Sequence, residues 1–125
     1  MVKVFGVRAT ETNTHWYVDS PVTGNICIPK NAGWTFNGDF VNPTFSPSIN
    51  ETWGKEGQTH ADLATDPNPN RNHCFIRAGY IQYLSDCTHV MAGKTVQIRD
   101  CDAYYPDGYT PGNSFDGHPT CVFTE

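Results

Sequence analysis

Turn chemistry interrupts this chain too often for a helix to establish itself. Nine prolines and eleven glycines are scattered through 125 residues, and the apolar residues between them fall in short runs without a 3.6-residue period. The reading that follows is mainly β: a small single-domain sandwich or open barrel with long loops and at most one or two short helical turns. Strands are predicted at Val2 to Ala9, at His15 to Asp19 and at Asn25 to Ile28, the last stopped by Pro29. Gly33 to Phe36 and Phe40-Val41 flank Asn37-Gly38-Asp39, which reads as a hairpin because Asn-Gly tolerates positive φ. Pro43 and Pro47 lie four apart and each removes a ladder donor, so Pro43 to Ile49 is expected at an edge or in a surface turn.

Between Glu51 and Arg71 the chain is polar, with Asp66-Pro67-Asn68-Pro69-Asn70 excluding regular structure and Ala61 to Ala64 allowing one helical turn. A loop of this length is expected to work as a lid or binding loop, with Trp53 docking it. His73 to Arg77 and Tyr80 to Leu84, rich in Ile, Phe and Tyr and joined by Ala78-Gly79, make the clearest hairpin. Asp86 to Ala92 suits a short helical turn ended by Gly93, with Asp86 or Thr88 as its cap, and Thr95 to Ile98 a further strand. Beyond Arg99 the chain is acidic, aromatic and rich in Gly and Pro. Residues 99–125 read as a C-terminal extension of turns, with an edge strand at Cys121 to Phe123.

Composition bounds the function. A hydrophobic share of 38% and an aromatic share of 13% can build a core in a single domain, 1–125, without disulfide staples. The net charge is −5 and basic residues do not cluster, which argues against a nucleic-acid partner. No apolar run approaches the roughly 20 residues of a membrane span, and the first residues lack a signal peptide's apolar core. Five cysteines, an odd number, point to reduced thiols or metal ligands and to the cytoplasm as the expected address.

The chemistry gathers between Asn72 and Gly93. A hairpin brings its ends together, so His73 should meet the turn carrying Asp86 and His89, themselves three apart on one face if that turn is helical. Two chemistries fit. Nucleophilic catalysis needs a hydroxyl, a base and a carboxylate that fixes the base's tautomer: Ser48 or Ser46, His73 or His89, and Asp86. Cys87 or Cys74 is an alternative nucleophile. A metal site would use Cys74, Cys87 and His89 as N/S ligands for a structural zinc, or His73, Asp86 and His89 for a catalytic one. Against both stands simple packing, with the thiols as small buried apolar groups. His60, in the polar loop, reads as a solvated side chain.

Four blocks then carry a resemblance: Gly33 to Asp39, Pro43 to Ile49, His73 with Gly79 to Leu84, and Asp86 to Gly93. Over roughly residues 33–98 the chain resembles a small family of unknown-function proteins common in tailed-phage genomes and often mislabelled ammonia monooxygenase. Relatives lie beside bacterial ubiquitin-like conjugation genes and are thought to be peptidases acting on the ubiquitin-like partner. The resemblance implies Ser48, His73, Asp86 and His89 as the functional positions and a hydrolase with no cofactor. It also implies a protein or peptide substrate of ubiquitin-like type, in the host cytoplasm if the chain is phage-encoded. Where the family has Cys-His at the start of the hairpin, this chain has Asn72-His73-Cys74. A zinc ligand there is missing or displaced to Cys74, which weakens metal binding more than a Ser/His/Asp site. The alternative is a zinc-stapled β module of a phage or host complex.

Overall fold

The computed structural model describes residues 1–123. It is mainly β, with eleven strands, one short helix and no closed barrel among the described residues. The strands are β1 (Val2–Val7), β2 (Thr10–Glu11), β3 (His15–Ser20), β4 (Gly24–Pro29), β5 (Thr35–Phe36), β6 (Phe45–Trp53), β7 (Asn70–Arg77), β8 (Tyr80–Tyr83), β9 (Thr95–Gln97), β10 (Cys101–Tyr105) and β11 (Thr120–Val122). The helix α1 (His60–Thr65) lies between β6 and β7. Three sheets form, ordered β1-β10-β11, β2-β3-β4 and β5-β6-β7-β8-β9.

The second and third sheets face each other across the main core. From β3 and β4 come Val18, Ile26 and Ile28, and from β6, β7 and β8 come Phe45, Ile49, Cys74, Ile76, Ile81 and Tyr83. Every one of these is buried, and along β7 the side chains alternate strictly: Asn72, Cys74 and Ile76 point inward, while His73 and Phe75 stay half-exposed. Trp16 closes one end of the core against Phe36 and Phe45, with ring centroids 5.5 and 5.6 Å away. A second apolar cluster, of Val7, Cys101, Ala103, Tyr105 and Tyr109, belongs to the first sheet.

The hairpin across Ala78-Gly79 forms as expected, with Cys74 opposite Tyr83 and Arg77 opposite Tyr80. Both turn residues have positive φ, +49° and +85°, as a two-residue turn of this hand requires. Ala61 to Ala64 fall within α1, whose capping box joins Thr59 and Asp62.

Four expectations are corrected. Asn37-Gly38-Asp39 does not join paired strands: β5 pairs with β6, and Phe40-Val41 is irregular. Side-chain oxygens have taken over the turn, Asn37 Oδ1 accepting from the amides of Asp39 and Thr44 and Asp39 Oδ1 from those of Val41 and Asn42. Pro43 to Ile49 is no surface turn; it leads into β6, the longest strand, which has β5 and β7 on either side at Phe45–Ser46 and β7 alone from there on. Pro47 is tolerated because the ladder lapses there. Phe45 pairs with Ile76 and Ile49 with Cys74, so residues 46–48 all oppose Phe75 and Pro47 needs no donor. The polar stretch is shorter than predicted, because β6 runs on to Trp53, 38% exposed, and β7 begins at Asn70.

Residues 99–125 are not only turns. Cys101–Tyr105 is β10, the middle strand of its sheet, and β11 supplies the expected edge; residues 124–125 of that segment lie outside the described residues. The inward set Cys101, Ala103 and Tyr105 was masked in sequence by the Asp and Tyr between.

Candidate active site

Residues 46–48 bulge towards the outer face of the third sheet, and this re-aims Ser48 across to β7. His73 projects from the same face because its neighbours Asn72 and Cys74 are committed to the core. The two side chains meet: His73 Nε2 lies 3.2 Å from Ser48 Oγ. The other ring nitrogen, Nδ1, lies 2.9 and 3.2 Å from the two carboxylate oxygens of Asp86. An ionised carboxylate only accepts, so Nδ1 carries the proton and Nε2 is left as an acceptor for the serine hydroxyl. This is the tautomer a general base needs.

Asp86 is held in its ionised form. Its hydrogen bond with His73, and more weakly the Arg71 guanidinium 3.6 Å away, keep its carboxyl below the usual range. It remains ionised at neutral pH although its side chain is 44% exposed. The loop bearing it is not the helical turn that was expected. Successive tight turns run from Leu84 to Lys94, with Cys87 N–H donating to Leu84 O and Ala92 N–H to His89 O. A helix is excluded because the loop spends its polar groups on β7. Leu84 N–H donates to His73 O, Thr88 N–H donates to Arg71 O, and Thr88 Oγ1 accepts from Arg71 N–H.

Asp86 and His89 therefore do not share one face. His89 passes to the core side of β7, where its Nε2 lies 2.9 Å from Asn72 Oδ1. Its Nδ1 accepts from Met91 N–H, and burial lowers its pKa and keeps it neutral. Ser46 is exposed and does not join the cluster through its hydroxyl; its carbonyl accepts from Thr35 Oγ1. His60 is exposed at the start of α1. The loop carrying α1 folds on itself, and among the described residues its hydrogen bonds reach none of Ser48, His73 and Asp86.

The thiols are ill-placed as nucleophiles. Cys74 is fully buried, and burial, helped by the charge of Glu51, pushes it up to about 12. Cys87 is buried with its sulfur 3.2 Å from both His73 N and His73 O, against the backbone and not the ring. Nor do the donors fit a zinc ion: His73 and His89 sit on opposite faces of β7, and among the described residues no group of three His, Cys, Asp or Glu could hold a metal. Asn72 escaped the sequence reading. Only its position beside His73 could have marked it, and nothing in the sequence says that it is buried.

The model of a family described as "Bacterial ubiquitination-like system serine protease (BubE)" matches residues 10–84. The matched span runs from β2 to just past β8, so it includes Ser48 and His73 and stops short of Asp86 and His89. No curated protein and no solved structure matches the chain. With more than half of its length matched, the chain belongs to this family of bacterial ubiquitination-like system serine proteases.

Proposed function

We propose that the protein is a serine peptidase of a ubiquitin-like conjugation pathway, hydrolysing an acyl bond at the tail of a ubiquitin-like protein. Ser48 is the nucleophile, His73 the general base and Asp86 the carboxylate that orients it. The observation that carries the reading is the unbroken link from Ser48 Oγ through both nitrogens of His73 to Asp86. Family membership supports the reaction class, and the words of the family's description support the substrate class.

In the proposed sequence His73 Nε2 takes the Ser48 proton as Oγ bonds to the acyl carbon. The imidazolium, stabilised by Asp86, then gives that proton to the leaving amine and the acyl-serine forms. Water, deprotonated by the same nitrogen, releases the acid and regenerates Ser48. The half-exposed position of Ser48 and His73 on an outer sheet face suits an extended protein tail. Five free cysteines suit work in the cytoplasm. No metal takes part, so exhaustive chelation should leave turnover intact.

The test uses a ubiquitin-like protein with a C-terminal extension as substrate and a fluorophosphonate as active-site probe. Wild type should cleave the extension and label at Ser48, while folded Ser48→Ala should do neither. Cleavage retained by folded Ser48→Ala would sink the proposal.

A further inference from the structure

We propose that His89 is a positioning residue: its hydrogen bond to Asn72 on the core side of β7 holds the 84–93 loop so that Asp86 stays on His73 at the outer side. The inference rests on reading Ser48, His73 and Asp86 as the catalytic groups.

Consecutive strand residues point to opposite faces, so Asn72 and His73 carry the two grips of one loop on one strand. Above β7 the grip is Asp86 on His73, at 2.9 Å. Below it is His89 on Asn72, also at 2.9 Å, with Asn72 fully buried. The loop's other ties to β7 are Leu84 N–H to His73 O, Thr88 to the Arg71 backbone, Cys87 Sγ to the His73 backbone and, at 4.0 Å, to Asn72 Oδ1, and the Arg71 guanidinium 3.6 Å from Asp86. Those of Leu84, Thr88 and Cys87 with the Arg71 and His73 backbone lie near the sheet plane, the Arg71–Asp86 pair adds only to the outer side, and the Cys87–Asn72 contact is long and weak. Alone the main-chain ties would act as a hinge line about which the loop could tilt, lifting Asp86 from the ring. A grip on each side of the plane removes that freedom.

The lower grip is polar at every link. Met91 N–H donates to His89 Nδ1, which leaves the ring proton on Nε2 to donate to Asn72 Oδ1. The Asn72 amide is turned this way because its Nδ2 donates to Glu51 Oε1, 2.9 Å away. The ring also stands edge-on to Tyr83, with centroids 5.0 Å apart. Both nitrogens of His89 are thus engaged, and neither faces Ser48. Its chemistry is that of a donor fixed in place, not of a proton carrier.

The test compares His89→Phe, which keeps a ring beside Tyr83 without the donor, His89→Gln, which can return an N–H to Asn72, and His73→Gln. For folded His89→Phe, kcat should fall on the order of a hundredfold, the scale of an ångström-sized misplacement, with KM little changed. The Asp86 carboxyl, followed by carbon NMR, should titrate closer to the ordinary carboxylate range. His89→Gln should recover most of both, while His73→Gln stays inactive. The proposal is overturned if His89→Phe keeps wild-type kcat and Asp86 titration, or if folded His89→Gln is as inactive as His73→Gln. Should His89→Phe not fold, Glu51→Ala, which frees the Asn72 amide without touching the loop, must move both readouts the same way or the proposal falls. If wild type does not hydrolyse the substrate, or Ser48→Ala still does, the peptidase reading fails instead. The Asp86 titration, which needs no substrate, then still decides the fate of the grip.

Discussion

At the scale of single residues, three side chains have only one arrangement that can move a proton. His73 must hold its proton on Nδ1 to leave Nε2 free, and Asp86 is the group that enforces this. Asp86→Asn is nearly the same size but presents an amide that can stabilise the other tautomer. It should therefore cost on the order of a thousand- to ten-thousandfold in kcat. The melting temperature should move little, because the side chain is 44% exposed. Ser46→Ala, two residues from the proposed nucleophile, should keep the wild-type rate. Steady-state kinetics with thermal melts on the two variants checks both, and an active Asp86→Asn enzyme would contradict the assigned role. Sequence brought Ser48, His73 and Asp86 onto one short candidate list. Residue chemistry alone left Ser46 beside Ser48 and His89 beside His73, and the resemblance named Ser48 but kept both histidines, because their separation depends on which way each side chain leaves the backbone.

At the scale of elements, one carboxylate gathers three donors of the loop between β6 and β7. Asp66 accepts from Asn68 N–H, Gln58 Nε2 and Lys55 Nζ, at 2.8, 2.8 and 3.0 Å, which draws its pKa down to about 2. The folded pKa lies below the ordinary 3.8, so this contribution is complete above that value and is lost as pH falls towards 2. The Asn68 amide resonance should accordingly titrate near 2 and not near 4, and Asp66→Asn should abolish the transition. A midpoint at the ordinary value would mean that the three bonds do not form together.

Elements whose pairing is local were the legible ones. The Ala78-Gly79 hairpin and the turn of helix at Ala61 to Ala64 each follow from side chains a few residues apart. Asp86 to Ala92 misled because Asp, Thr and a closing Gly suit a helix locally, whereas Arg71, fifteen and more residues upstream, claims Thr88.

At the scale of the molecule, Glu11 joins parts of the chain that sequence reading treated as separate. It sits in β2, 2% exposed, and receives Lys30 Nζ at 2.8 Å, the Tyr109 hydroxyl at 2.5 Å and the Gly112 amide. Burial alone would raise its pKa, but these three donors outweigh burial and keep it ionised. Glu11→Ala leaves them without their acceptor and should destabilise the fold by about 2–3 kcal/mol, read from chemical denaturation. Loss of less than about 0.5 kcal/mol, the range of ordinary surface substitutions, would show that residues 109–112 do not depend on this contact.

By itself the sequence determined the β class, through turn residues that forbid long helices, and the placement of His73 near Asp86, through a hairpin that must close. Both are short-range consequences of backbone sterics and side-chain alternation. Only the tertiary structure decided the bulge that brings Ser48 to His73, the burial that sends His89 to Asn72 instead, and the pairing of β10 with β1. Each of these turns on which surfaces lose water when distant strands meet, and local sequence carries no record of that.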